Sequence, residues 1–182
     1  MIRRFISVAL LAALSTAAFA MPPLPRRSPE FTITQARGKD VLLSTYRGKV
    51  VALAFVFTTC IHCQVYSSMI NAMQKDLGPR GFQAIDVAWN QDADRLVPNF
   101  VRQLGLTFPV GYSTWDPIMS FLGFSVMDRP VVPLIVVIDK KGMIRAESPP
   151  QGDPDLQDET KLRALVESLL NEGATAHARG RR

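Results

Sequence analysis

Two stretches of this chain are apolar at every position, residues 50–57 and Leu134–Ile138. Strands read that way when both faces of their sheet are covered. Between them the period changes. Ile61, Val65, Met69, Ile70, Met73 and Leu77 recur at helical spacing and predict one inward-packing helix face, stopped by Gly78-Pro79. Phe82–Ala88 predicts a second strand, and Leu96, Val97, Phe100, Val101 and Leu104 a second helix ended by Gly105. Pro98 suits that helix only in its first turn, where a missing N–H goes unused.

Upstream, residues 31–34 and 41–44 form short alternating strands around a Gly38-Lys39-Asp40 turn. Downstream, 108–110 is a short extended piece, and the loop around Trp115 and Asp116-Pro117 holds one helical turn. Residues 139–142 turn the chain into an antiparallel return at 143–145, and Leu162, Leu165, Val166, Leu169 and Leu170 mark a last helix. The order β-β, β-α-β-α-β, β-β-α predicts an α/β fold. A mixed central sheet is flanked by helices and preceded by a β-hairpin.

The 182 residues, 47% apolar and 20% charged, suit one globular domain. Residues 1–20 stand apart: a basic start at Arg3-Arg4, an apolar run over 5–14 and Ala18-Phe19-Ala20 are the anatomy of a secretory signal peptide cleaved after Ala20. The alternative is an uncleaved anchor, for which the run is short. Residues 21–30 are a Pro-rich linker, 31–172 the domain and 173–182 a basic tail. The net charge of +5 resides mostly in those termini, since 31–172 holds 14 Lys and Arg against 15 Asp and Glu. No basic face interleaved with aromatics is present, which argues against nucleic acid as a partner.

The chemistry lies in Cys60-Ile61-His62-Cys63, the only two cysteines, placed where the first apolar strand hands over to the first helix. Two intervening residues let one helical turn bring both sulfurs together. A C-x-x-C beside a strand–helix unit is a redox signature. The first sulfur sits at a helix N-terminus, where unpaired N–H groups and the macrodipole favour a thiolate, the nucleophile of disulfide exchange. Export makes a structural staple the competing reading. A four-residue loop constrains an unfolded chain little, so the pair suits exchange better than stabilisation.

The run from Phe31-Thr32-Ile33 through Gly38-Lys39-Asp40-Val41-Leu42-Leu43 and Tyr46-Arg47-Gly48-Lys49-Val50-Val51 into Phe57-Thr58-Thr59-Cys60 resembles the TlpA/ResA-like branch of the thioredoxin superfamily. Val132-Pro133, followed by Leu134–Ile138 and Asp139-Lys140-Lys141-Gly142, looks like that family's cis-proline strand and hairpin. The resemblance covers 31–171. It implies a thioredoxin fold and an exported thiol–disulfide oxidoreductase with no metal and no other cofactor. Its substrates would be cysteine-containing exported proteins, and a further redox partner, in the membrane or outside it, would recycle it. Cys60 would attack, Cys63 resolve, Pro133 pack against the disulfide, and Val132 offer backbone groups to an extended substrate.

Two departures bear on direction. Thioredoxins carry a buried acid where Ala54 stands, and some ResA-like reductants a glutamate where Tyr66 stands. Their absence weakens a reductase assignment. His62 matches the histidine between the cysteines of the exported oxidant DsbA, and a favourable charge beside Cys60 is worth about 1–2 kcal/mol. The span from thioredoxin to DsbA is roughly 7 kcal/mol. One histidine therefore supplies part of it, and the expectation is a moderately oxidising couple tuned by His62.

Two other functions compete. A copper carrier of the SCO type shares the fold but uses C-x-x-x-C and a distant histidine, whereas His177, the second histidine here, lies in the tail. Cys60, Cys63 and His62 still form a soft ligand set suited to Cu(I). A peroxiredoxin-like peroxidase places Thr two residues before its cysteine, as Thr58 stands to Cys60, but the proline-led loop before it is missing. Met69 and Met73 read as core, Trp89 and Trp115 as possible borders of the groove, and Asp139 as a turn residue.

Overall fold

The computed structural model describes residues 21–172. The signal-peptide reading of 1–20 and the basic tail of 173–182, His177 included, lie outside the described residues. In chain order the strands are β1 (Arg26–Arg27), β2 (Thr32–Ile33), β3 (Val41–Leu42), β4 (Val50–Val56), β5 (Phe82–Ala88), β6 (Val110–Tyr112), β7 (Leu134–Ile138) and β8 (Met143–Glu147). The helices are α1 (Ile61–Leu77), α2 (Ala93–Leu104), α3 (Trp115–Leu122), α4 (Pro154–Gln157) and α5 (Glu159–Asn171).

Six strands form one sheet in the order β1-β8-β7-β4-β5-β6. The β4, β5 and β6 strands run parallel, while β7 is antiparallel to β4 and β8 to β7. Both long apolar strands are therefore central. The predicted hairpin is β2–β3, a separate small sheet tied to β6 by a Thr34–Tyr112 bridge. One face of the sheet packs Ala54, Phe82 and Ala88 against Cys63, Ile70 and Met73 of α1 and Val166 of α5. The other packs Leu53, Phe55 and Val87 against Ile118 and Phe121 of α3 and Phe31 and Ile33 of the hairpin. The sheet is thus mixed and covered by helices on both faces, as the element order predicts.

Four details differ from expectation. The first concerns α1, whose buried face is Cys63, Tyr66, Ser67, Ile70, Asn71, Met73 and Leu77, while Ile61 and Val65 stand 64% and 63% exposed. The helix is rotated because its polar Ser67 and Asn71 find partners in the interior: Asp86 for the first, Gly105 and Thr107 for the second. Periodicity of apolar residues cannot count such pairs. Second, α2 begins at Ala93, so Pro98 lies in its second turn rather than its first. The carbonyl that loses a donor belongs to exposed Asp94, which water can serve.

Third, the Pro-rich stretch expected as a linker is docked. Arg26 and Arg27 pair antiparallel with Ile144 and Met143, adding an edge strand to the sheet. Arg26 Nη2 donates to both carboxylate oxygens of fully buried Glu147, at 2.9 and 2.8 Å, which fastens the segment. Fourth, the loop around Trp115 holds an eight-residue helix, α3, rather than a single turn. Asp139 is a turn residue as expected: its carboxylate accepts from the amides of Lys141 and Met143, and Gly142 completes the turn at φ +78°.

Candidate active site

Cys60 follows the C-terminal end of β4 and is the N-cap of α1, with extended φ −86° and ψ 121°. It stands at the end of the helix where the first-turn amides have no intrahelical partner, a setting that favours negative charge, and none of them donates to its sulfur. Cys63, one turn on, is fully buried in the layer between α1 and the sheet, while Cys60 is half-buried. Both are free thiols in this structure. One sulfur is thus partly open to solvent and the other is enclosed.

Burial is the main reason the Cys63 thiol holds its proton. The Phe57 N–H, 3.5 Å from Cys63 Sγ, pulls the other way, while a hydrogen bond with Cys60 and the nearby Asp86 carboxylate add to the upward shift. His62 lies exposed in the first turn of α1, next to Cys60 in sequence.

The turn before Cys60 is anchored by residues that motif reading did not single out. Thr58 donates its N–H and its hydroxyl to Asn90 Oδ1, and Gln64 Nε2 donates to the Thr58 carbonyl at 2.9 Å. Phe57 meets Trp89 edge-on at 4.6 Å between ring centroids, and Trp89 in turn meets Trp115 at 5.3 Å. The two tryptophans therefore form a wall beside the end of β4.

Opposite, the Val132-Pro133 peptide bond is cis, Pro133 is buried at the start of β7, and Val132 packs at the margin of the Cys63 layer, as Cys60 does. Among the described residues the Val132 peptide groups make no backbone hydrogen bond. The site residues expected from sequence thus converge on one end of the sheet, Cys60 and Cys63 from α1 and Val132 and Pro133 from the entry to β7.

Sequence reasoning missed Asp86. It is fully buried on β5, and its Cα partner across the parallel pair is Ala54, the position where an acid was found wanting. Ser67 Oγ donates to Asp86 Oδ2 at 2.6 Å. Desolvation raises the carboxyl to about 7, with the Ser67 hydrogen bond opposing. Tyr66, also fully buried, is raised by desolvation and by the Asp86 charge. The signal was present as a lone acid inside an otherwise apolar strand, but only cross-strand register shows what it faces. Among the described residues no three His, Cys, Asp or Glu side chains converge as a metal centre requires.

Residues 25–147 match the family model described as AhpC/TSA family. The thiol–disulfide oxidoreductase ResA of Bacillus thuringiensis subsp. konkukian (strain 97-27) is 30% identical over 124 residues, covering 67% of each chain. That of Bacillus thuringiensis (strain Al Hakam) is 29% identical over 119 residues, and the match spans 65% of either length. The crystal structure of a thioredoxin-family thiol:disulfide interchange protein from Chlorobium tepidum TLS superposes with a TM-score of 0.67 at 23% identity, covering 82% of this chain and 99% of that one. The family model covers more than half of the chain and the solved structure superposes over most of it: the chain has the thioredoxin fold and belongs to the AhpC/TSA family.

Proposed function

We propose that the chain is an exported thiol–disulfide oxidoreductase that exchanges disulfides with cysteine-containing proteins. The observation that carries this reading is the unequal burial of two free thiols one helical turn apart. Cys60 Sγ attacks a substrate disulfide, forming a mixed disulfide and releasing the substrate's other sulfur as a thiol. Cys63 Sγ then attacks Cys60, which closes the 60–63 disulfide and frees the reduced substrate. The reverse sequence oxidises a substrate dithiol. His62 adds a favourable charge beside Cys60 when protonated and shifts the couple toward the reduced state.

The unpaired peptide groups of Val132 support docking of an extended substrate segment by backbone hydrogen bonds. Exposed apolar side chains surround this place in sequence: Ile61 and Val65 just after Cys60, and Val126, Met127 and Val131 just before Val132. Isolated exposed apolar residues are ordinary, but these five fall on the two segments that carry the site. The partners this fits are protein chains with apolar residues flanking a cysteine.

Export rests on residues 1–20; among the described residues no helix is long and apolar enough to cross a membrane. The peroxidase alternative has less support, since the Thr58 hydroxyl is held by Asn90.

The test is the Cys63→Ala variant expressed in cells, which stalls at the mixed disulfide. Exported proteins linked through Cys60 are expected, and they vanish in the Cys60→Ser, Cys63→Ala double variant. A trap that captures nothing, with a purified protein that fails to exchange a model disulfide, overturns the reading.

A further inference from the structure

Along the β2 edge Ile33 is fully buried, and the alternation of an extended chain turns its neighbours Thr32 and Thr34 to the opposite face. The hairpin lies tight against β6: a Cβ on Gly111 would meet Ile33 Cγ2 at 2.5 Å and the Thr34 carbonyl oxygen at 2.6 Å. The α3 helix stands off from this contact. Between the hairpin, the end of β6 and α3 there remains a cleft of about 510 Å³, inside the range of about 300–1,000 Å³ that small-molecule sites occupy.

Six hydroxyl groups line it, those of Thr32, Thr34, Tyr112, Ser113, Thr114 and Ser120. Among the described residues none of the six has a hydrogen-bond partner within the protein, and Thr114 does not use its hydroxyl to cap α3. Inner hydroxyls elsewhere in the fold are paired: Thr58 with Asn90, Ser67 with Asp86, Thr107 with Asn71, Ser148 with the Ile135 amide. The floor is rigid. Phe31 and Phe121 meet edge-on at 5.4 Å, each also meets Phe55 edge-on, and Arg26 Nη2 donates to the Phe121 carbonyl at 3.1 Å.

The lining selects the class of ligand. No Lys or Arg is present, so an anion would find no counter-charge. The one carboxylate, Glu30, already accepts from the amides of Phe31 and Ser44 at 3.1 and 3.0 Å, so a cation would have to compete for it. An apolar ligand would take water from the hydroxyls and return no hydrogen bond. What fits is an uncharged molecule bearing hydroxyls of its own, since a hydroxyl both donates and accepts, with a C–H face to lay on the aromatic floor.

We propose that this cleft binds a small neutral saccharide, a function separate from disulfide exchange. Its position joins the two sites. Thr114 leads into Trp115, whose ring meets Trp89, and Trp89 meets Phe57 in the turn before Cys60. The sugar is thus seated at the same end of the sheet as the cysteine pair, beyond the tryptophan wall.

The test is a titration of the isotope-labelled protein with maltose and with N,N′-diacetylchitobiose, followed by amide NMR shifts. At least one sugar is expected to shift residues of the cleft and to saturate with a midpoint of about 1 mM or tighter. Thr34→Val with Thr114→Val, which keeps shape and removes two hydroxyls, should weaken binding about tenfold, the scale of lost hydrogen bonds. Ser120→Phe, at an exposed helix position, should fill the cleft and abolish binding. Both variants should exchange a model disulfide at the wild-type rate, so the outcome here is independent of the exchange reading. Shifts that do not saturate, shifts that fall outside the cleft, or an affinity unmoved by both variants overturn the proposal. A stronger response to putrescine or to sulfate overturns the assignment to a neutral ligand.

Discussion

The backbone N–H and the side-chain hydroxyl of Thr58 both donate to one oxygen, Asn90 Oδ1, at 2.8 and 3.2 Å. Asn90 follows β5, and Thr58 opens the turn that delivers Cys60 to the tip of α1. The Trp89 N–H donates to the Val56 carbonyl at 3.1 Å, so the two parallel strands are tied together just where the catalytic turn departs. Asn90→Ala leaves the buried Thr58 amide without that acceptor. The expected loss is about 1–3 kcal/mol of stability, read as a lower urea midpoint, with slower exchange. Stability within a few tenths of wild type would show that Gln64 alone secures the turn.

The charge of Asp86 makes stability depend on pH. Its folded value of about 7 lies above its ordinary 3.8, so between those limits the native state keeps a proton the unfolded state gives up. Stability therefore falls as pH rises through that window. That rise is worth of order 4 kcal/mol for this fully buried group. Asp86→Asn should flatten the dependence, stabilising the protein above the window and changing little below it. Unfolding free energies on both sides measure this, and a variant weakened equally at both would count against it.

Arg26 and Glu147 form a different buried pair, since here a cation is present. Desolvation raises Glu147, and Arg26 opposes that shift. Arg26→Met strands the carboxylate in the interior, at a cost of about 3–5 kcal/mol near neutral pH, and it releases β1 from β8. The penalty shrinks in acid, where Glu147 takes up a proton. Denaturant unfolding at the two pH values checks the expected inequality.

Ile61 and Val65 contribute no burial to the core. Replacing both by Gln should leave stability within about 0.5 kcal/mol, because surface changes away from buried features cost little. If they touch the substrate chain, KM for a protein disulfide rises while the reaction with a small disulfide is unchanged. Equal effects on the two substrates would place their role elsewhere.

Much of this architecture was legible in residue order. The all-apolar runs identified β4 and β7 as central strands, because a strand covered on both faces has no solvent side to mark with polar residues. The strand at Phe82–Ala88 and the helix ending at Gly78 followed from local period and stop signals. Cys60 and Cys63 were recognisable because their spacing alone joins them across one turn of helix. Other features escaped for want of a local signal. The strand at Arg26–Arg27 is fastened by Glu147, 121 residues away, which no local pattern announces.

Local sequence determined the two central strands, the helix tip that carries Cys60 and the short reach between the two sulfurs, since each depends on residues within a few positions of one another. Tertiary structure decided which thiol is exposed, which face of α1 turns inward and what surrounds Asp86. Those depend on register: Asp86 lies beside Ala54 only because β5 pairs with β4 in parallel at that alignment, and one residue of slip would point it to the opposite face.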